Sequence, residues 1–454
     1  MPFLATNPAT EEVIAEYPAL SALELDAALE LAHDAYTRWR ATPICERAEV
    51  LRRAAELLES EVPVAGALMT SEMGKTFASA KGEAAKCAMT MRYYAEHAGS
   101  MLVDESIATN ARRSGVRFDP IGIVFAVMPW NFPFWQVVRM ATPTLMAGNV
   151  VAFKHAPNVP GSARYLEDLF VRAGFPKGVL TNLFVEVDQV AGIIADPRVR
   201  AVTLTGSERA GRSVAELAGQ NLKKCVLELG GSDPFIVAGS ADLDHTVPLA
   251  VTARVQNNGQ ACIASKRFIV VREKADEFLE RFVTEMAAVK MGDPMEPATV
   301  LGPLVSKSQV DLLAAQVSAS IDKGALALTG GAAVKGQGFY YPATVLVDVP
   351  ADSRAGCEEL FGPVAVVHVV EDLDAAIDLA NDTPWGLGGT IWAQRQSEID
   401  AAIARLDVGM VFANALVVSM PELPFGGTKN SGFGRELSVY GAREFTNAKS
   451  YFVQ

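Results

Sequence analysis

The sequence predicts an α/β protein with two parallel-sheet domains, and three observations lead there. Short apolar runs bounded by Gly, Pro and Asn alternate with helix-length segments after about residue 120, and the alternation starts afresh beyond Gly230 and Gly231. Apolar strands that lack an in–out pattern and alternate with helices belong to a parallel sheet covered on both faces. At 454 residues, half of them hydrophobic, the chain is long enough for more than one core.

The elements follow in order. From Ser21 to about Met101 the spacing is helical: "ALELDAALELAHDAYTRWR" and "RAEVLRRAAELLESEV" place apolar residues three and four apart, as in amphipathic helices packed on something larger. The runs "IGIVFAVMPWN", "GNVVAFKHAPN", "VLTNLFVEV" and "RAVTLTGS" then read as strands, with "VPGSARYLEDLFVRAG" and "DQVAGIIADP" as the helices between them. A second series begins at "KCVLELGGSDPFIV" and continues through "KRFIVVREKADEFLERFVTEMAAVK", "GPVAVVHVVEDLDAAIDLAN" and "TIWAQRQSEIDAAIARL". The tail "NAKSYFVQ" reads as a terminal strand that needs a sheet edge, its own or a neighbouring subunit's.

Composition removes several classes of function. A formal charge of −13 argues against nucleic-acid partners, which demand a basic face. The first residues lack the basic and apolar regions of a signal peptide, and no apolar run reaches the ~18 residues of a membrane span, so a soluble cytoplasmic protein is expected. Five cysteines without a C-x-x-C pair, and five histidines without ligand spacing, suggest neither a disulfide framework nor a metal site.

Gly-x-Gly-x-x-Gly is absent, but "TLTGSERAGRSVAELAG" carries a strand, a turn at Gly206 and Ser207, and a helix whose N-terminus suits a pyrophosphate. A glycine turn before a helix is also a common structural device. In "MPWNFPFWQVVRM", Asn131, Trp135 and Arg139 recur at four-residue intervals, near one face of a helix. An arginine in so apolar a segment needs an anion, either an Asp or Glu of the chain or a ligand. Glu228, in the apolar strand before Gly230, reads as a general base of raised pKa or as a carboxylate capping backbone amides. Cys262 sits in the polar turn "NNGQACIASK"; a lone turn cysteine is more often inert than nucleophilic.

Taken together, "PWNFP", "TGS", "LELGGSDPF", "GQACIASKRF", "EELFGPV" and "LPFGGTKNSGFGRE" stand in the order and approximate spacing of the aldehyde dehydrogenase superfamily, which the chain resembles along essentially its whole length. "MPWNFPFWQVVR", "KHAPNVPGSA" and "CVLELGGSDPFIV" look closest to its bacterial succinate-semialdehyde dehydrogenases. The resemblance implies an aldehyde dehydrogenase-like fold of two Rossmann-like domains and a small oligomerisation element. Residues 1–106 and 129–229 would bind cofactor, 230–420 would form the catalytic domain, 107–128 and 436–454 the oligomerisation segment, and 421–435 would return to the cofactor domain.

It further implies that Cys262 is the nucleophile, that Glu228 is the general base, and that Asn131 with the backbone N–H of Cys262 forms an oxyanion hole. Lys154, Pro157 and Trp130, Gly206 with Ser207, and Glu359 with Phe361 would contact NADP or NAD; Trp135, Arg139 and Ser419 would line the aldehyde pocket. Arg139 is then expected to hold the distal carboxylate of succinic semialdehyde, and Ser419 to add a hydrogen bond. A homodimer or homotetramer is implied, with a small-molecule aldehyde as substrate. The chemistry fits these residue types. A thiolate makes the aldehyde carbon tetrahedral, neutral donors hold the oxyanion, and a carboxylate activates the water that hydrolyses the thioester.

The sequence departs from the family at Pro157. Many NAD-preferring relatives carry a Glu three residues after the lysine matched by Lys154; without it nothing obvious repels a 2′-phosphate, so NADP is tolerated and NAD remains open. A broader aldehyde dehydrogenase for glutaric semialdehyde or neutral aldehydes is the alternative. A histidine-assisted hydrolase or acyltransferase lacks a supporting motif, and a non-catalytic role fits poorly with Cys262, Glu228 and Asn131 together.

Overall fold

The computed structural model describes residues 2–454. After a hairpin of Phe3–Thr6 with Val13–Tyr17 come the helices Ala22–Trp39, Ile44–Ser60, Val62–Met73 and Phe77–Met101. Ser21 starts the first with a capping box: its hydroxyl accepts from the Glu24 N–H while the Glu24 carboxylate accepts from the Ser21 N–H, satisfying donors that a helix start leaves free. The apolar stripe of this helix, including Leu29, Ala32 and Trp39, is buried, and the Trp39 indole donates to the Leu145 carbonyl at 2.9 Å.

The first large sheet runs, edge to edge, Gly432–Phe433, Lys224–Glu228, Val199–Thr205, Ile123–Val127, Val150–Lys154 and Leu180–Asn182. All neighbours are parallel except the short Gly432–Phe433 edge. Both faces are covered, which is why "VVAFK" can be buried at every position. In chain order the parallel strands lie 5-4-1-2-3, so the order reverses between Ile123–Val127 and Val199–Thr205. Ligands of open α/β sheets bind at the carboxyl ends of the strands, in the crevice at such a reversal. Asn131 and Gly206 follow these two strands.

The chain crosses to the second sheet between Glu228 and Pro234. Its seven strands are ordered Leu326–Thr329, Thr344–Val347, Val364–Val370, Arg267–Val271, Pro234–Val237, Gly388–Trp392 and Met410–Ala413. Only the first pair is antiparallel.

A three-stranded antiparallel sheet pairs Thr446–Val453 with Arg113–Pro120, and that strand with Glu105–Ser106. Two expectations are corrected here. Ile123–Val127, placed by the sequence in the segment 107–128, is a central strand of the first sheet; the chain turns at Gly122, whose φ of +142° and closeness to the Arg200 side chain favour glycine. Glu436, placed at the start of the terminal oligomerisation segment, instead lies buried beside Arg139.

Candidate active site

Two cavities meet at Cys262. The larger, about 290 Å³, reaches from Gly206 and Ser207 past Trp130, Asn131 and Glu228 to Glu359 and Phe361. The smaller, about 150 Å³, is lined by Lys86, Trp135, Arg139, Ser419 and Phe425. Gln136 and Cys262 line both.

The Cys262 turn is polar in sequence but buried around its entry, and most of its polar groups have partners, Asn257 Oδ1 and Gln260 Nε2 excepted. Asn257 and Asn258 adopt φ of 53° and 58°, a left-handed conformation that Asn tolerates better than most residues. The Asn258 amide donates to the carbonyls of Gly74 and Pro303, each at 2.8 Å, and its oxygen accepts from the Gly302 N–H. Lys266 Nζ donates to the carbonyls of Ala261 at 3.0 Å and Cys262 at 2.6 Å and pairs with Glu359 at 3.0 Å. The loop is thus fixed from three sides.

Asn131 Nδ2 donates to the Gln260 carbonyl at 3.1 Å, and the Asn257 amide holds the Asn131 carbonyl at 2.8 Å. An amide has two N–H groups, so one bond to Gln260 leaves a second donor on the cavity.

Glu228 ends its strand 2% exposed, with neither carboxyl oxygen hydrogen-bonded. Gly426 makes this possible, because a Cβ there would stand 2.8 Å from Glu228 Oε1. Burial, and then the nearby Glu436, raise the Glu228 pKa well above the ordinary range, opposed by Arg139 and Arg435. A carboxyl that keeps its proton until higher pH is a stronger base once ionised. Gly230 similarly lets Glu359 approach; a Cβ there would lie 2.2 Å from Glu359 Oε2.

Burial also pushes the Cys262 thiol up to about 11, while Arg139 and Lys266 pull it down. Below its pKa the reactive thiolate fraction grows tenfold per pH unit. Carboxamidomethylation of the Cys262 peptide in the free protein should therefore accelerate about tenfold per unit from about pH 7 to about pH 10. A plateau below about pH 8 would show the thiol titrating at or below its ordinary value. The peptide must be followed rather than total labelling, because Cys45 and Cys357 are exposed.

Gly206 and Ser207 join a buried strand to the helix Glu208–Gln220, with the Ser207 hydroxyl capping the Ala210 N–H. The helix start faces the larger cavity with unpaired N–H groups and a positive dipole end. Gly211 lets this helix pack on Leu229, whose methyls would lie 2.7 Å from a Cβ. Trp130 and Phe361 meet edge-to-face at 5.7 Å between centroids. Lys154, at the carboxyl end of its strand, is buried with Nζ on the His155 carbonyl; Pro157 is exposed in the following turn, and both lie outside the cavity lining.

Trp135 begins the helix Trp135–Met146, every residue of which is buried. Glu83, from the helix Phe77–Met101, accepts the N–H groups of Phe134 and Trp135 at 2.8 and 2.9 Å and pairs with Lys75. It thereby supplies the carboxylate that this helix start lacks locally.

Arg139 lines the smaller cavity together with Trp135 and Ser419. The guanidinium, 1% exposed, is ion-paired with Glu436, donates to Thr205 Oγ1 at 3.3 Å and stacks on Phe425 at 4.3 Å. The anion that so apolar a segment demands thus comes from within the chain. Asn131 precedes the helix and faces the larger cavity, whereas Arg139 edges the smaller one.

No motif in the sequence singles out Lys86. In "FASAKGEAAKCAMTM" it reads as half of a solvated Glu–Lys pair with Glu83. In the structure Glu83 is committed elsewhere, and Lys86 Nζ donates to Ser419 Oγ at 2.7 Å and lies 4.1 Å above the Trp135 ring. Lys266 and Glu436 also escaped notice, although "GQACIASKRF" and "LPFGGTKNSGFGRE" contain them.

The aldehyde dehydrogenase family model matches residues 2–451. The chain is 50% identical over 457 residues to an NADP(+)-named succinate-semialdehyde dehydrogenase of Mycobacterium ulcerans, covering 100% of both. It is 48% identical, with the same full coverage, to one of Mycobacterium tuberculosis. A Streptococcus pyogenes succinic semialdehyde dehydrogenase, solved in complex with NADP+, superposes with a TM-score of 0.97 at 39% identity over 99% of each chain. A cysteine where two cavities meet, a buried unpartnered glutamate beside it and matches of this extent lead to one conclusion: the chain belongs to the aldehyde dehydrogenase family.

Proposed function

We propose that the protein oxidises succinic semialdehyde to succinate with NADP as hydride acceptor, through a thioester on Cys262. The observation that carries this reading is the meeting of the two cavities at Cys262, with the unpartnered Glu228 carboxyl on the larger one. The succinate-semialdehyde dehydrogenases at 50% and 48% identity support the substrate, and their names support NADP.

The residues present fit a dinucleotide. The N–H groups at Ser207 and the helix start would hold the pyrophosphate, with Gly206 leaving room for its approach. Glu359, Phe361 and Trp130 would hold the nicotinamide end, and Lys154 with Pro157 the adenosine ribose. When bound, the cofactor supplies the hydride acceptor.

The chain does the rest. Cys262 Sγ gives up its proton to solvent and bonds to the aldehyde carbon; the carbonyl π pair moves to oxygen, where the second Asn131 N–H and the Cys262 backbone N–H stabilise it. Once hydride has left that carbon, a thioester remains. Glu228 takes a proton from water as the water oxygen attacks the thioester carbon; the C–S bond then breaks, and Glu228 returns the proton to the departing sulfur, leaving the acid and the Cys262 thiol.

Initial rates with succinic semialdehyde, glutaric semialdehyde and butyraldehyde, each with NADP and NAD, test the reading. A kcat/KM highest for succinic semialdehyde with NADP is expected; equal values across the aldehydes would replace it with a broad-specificity dehydrogenase. Pro157→Glu should shift the NADP-to-NAD ratio of kcat/KM about tenfold or more towards NAD, because a carboxylate there accepts ribose hydroxyl bonds and repels a 2′-phosphate. An unchanged ratio would remove Pro157 from the ribose site.

The same reading places the enzyme in the cytoplasm as a homodimer or homotetramer. Five free cysteines suit a reducing compartment. The three-stranded sheet and its surroundings expose Ile107, Tyr440 and Phe452, apolar surface suited to a second subunit.

A further inference from the structure

We propose that Lys86 is the cation that recognises the distal carboxylate of the substrate, with Ser419 as its hydrogen-bonding partner and Trp135 as its floor; this rests on the semialdehyde reading above. The argument is a count of charges around the smaller cavity. Besides the Cys262 thiol, three ionisable side chains line it: Glu83, Lys86 and Arg139. Glu83 is neutralised by Lys75 and by two backbone N–H groups. Arg139 is neutralised by Glu436. Lys86 alone among the described lining groups has no carboxylate partner; its contacts are a neutral hydroxyl at 2.7 Å and an aromatic face at 4.1 Å.

An ammonium withdrawn from water without a counter-charge is costly, and neither a hydroxyl nor a ring face replaces an anion. Burial lowers the Lys86 pKa to about 8; Cys87, Glu83 and Cys262 oppose it and Arg139 acts with it. A carboxylate entering the cavity would supply the missing charge. The geometry also prepares its second bond: the Ser419 oxygen accepts from Lys86, which leaves the hydroxyl hydrogen free to turn towards a ligand oxygen. Stacking on Trp135 and bonding to Ser419 hold the four-carbon stem in one orientation, so less of its rotational freedom is lost on binding. Because Cys262 lines the same cavity, an ω-oxo carboxylate can reach Lys86 with one end and the nucleophile with the other, which a neutral aldehyde of equal length does without gain from the charge.

Wild type, Lys86→Met and Lys86→Arg are compared on succinic semialdehyde and butyraldehyde. Lys86→Met is expected to lower kcat/KM for succinic semialdehyde by about two to three powers of ten, chiefly through KM, and to affect butyraldehyde far less. Lys86→Arg should restore most of the preference. If wild type favours succinic semialdehyde and Lys86→Met keeps that ratio, or loses both substrates equally, the role of Lys86 is overturned while the enzyme's function stands. If wild type shows no preference, the semialdehyde reading itself falls. Should Lys86→Met not fold, Lys86→Gln, which keeps a stem and donor without the charge, decides by the same ratio.

Discussion

Cys262→Ala is expected to lower kcat by on the order of 10⁶, the scale seen when the nucleophile of a covalent mechanism is removed. Without the sulfur no tetrahedral adduct forms, and an aldehyde carbon does not surrender hydride at a useful rate. No other cysteine can substitute: Cys87 is fully buried, Cys225 lies in the strand Lys224–Glu228, and Cys45 and Cys357 are exposed away from both cavities. NADP affinity, measured by quenching of protein fluorescence, should stay within a few-fold, because the proposed cofactor contacts come from other residues. Retention of more than a few per cent of activity would remove Cys262 from the nucleophile role.

Glu228→Gln is expected to separate the two halves of the reaction. Thiohemiacetal formation and hydride loss need no water, whereas hydrolysis of the thioester does. The variant should release a burst of NADPH near one equivalent per site and then turn over slowly, with the steady state lowered by about 10²–10⁴, the range for a lost general base. Glutamine is nearly isosteric and relieves the repulsion between Glu228 and Glu436, so the packing around Gly426 should survive. Loss of the burst as well would place Glu228 in activation of the Cys262 thiol, which burial holds protonated near neutral pH.

The parallel sheets were legible because their strands are buried on both faces and therefore read as uninterrupted apolar runs. The limit of that signal shows at "RSGVRFDPIGIVFAV", where two strands of different sheets follow each other with only Ile121 and Gly122 between them. An apolar pattern cannot reveal which sheet a strand joins. Cys262, Glu228 and Asn131 were legible through their motifs, and the structure brings all three to one cavity.

The charge pairing around them was not legible, since it is decided between residues far apart in sequence. Arg139 meets Glu436 and Glu83 caps the helix at Trp135, while Lys86 reaches Ser419 across 333 positions. Reasoning from the apolar segment alone correctly demanded an anion for Arg139 but could not say whose. With those partners in place, Lys86 is the lining cation without a carboxylate partner.

In the proposed reaction Cys262 carries the acyl group and Glu228 directs its hydrolysis. Intact-mass and peptide mass measurement on Glu228→Gln, quenched in acid after one turnover with NADP and succinic semialdehyde, tests it directly. A chain heavier by one succinyl group, removable by hydroxylamine and located on the peptide containing Cys262, is expected. Stoichiometric NADPH beside an unmodified chain, or an adduct on any other residue, would contradict it.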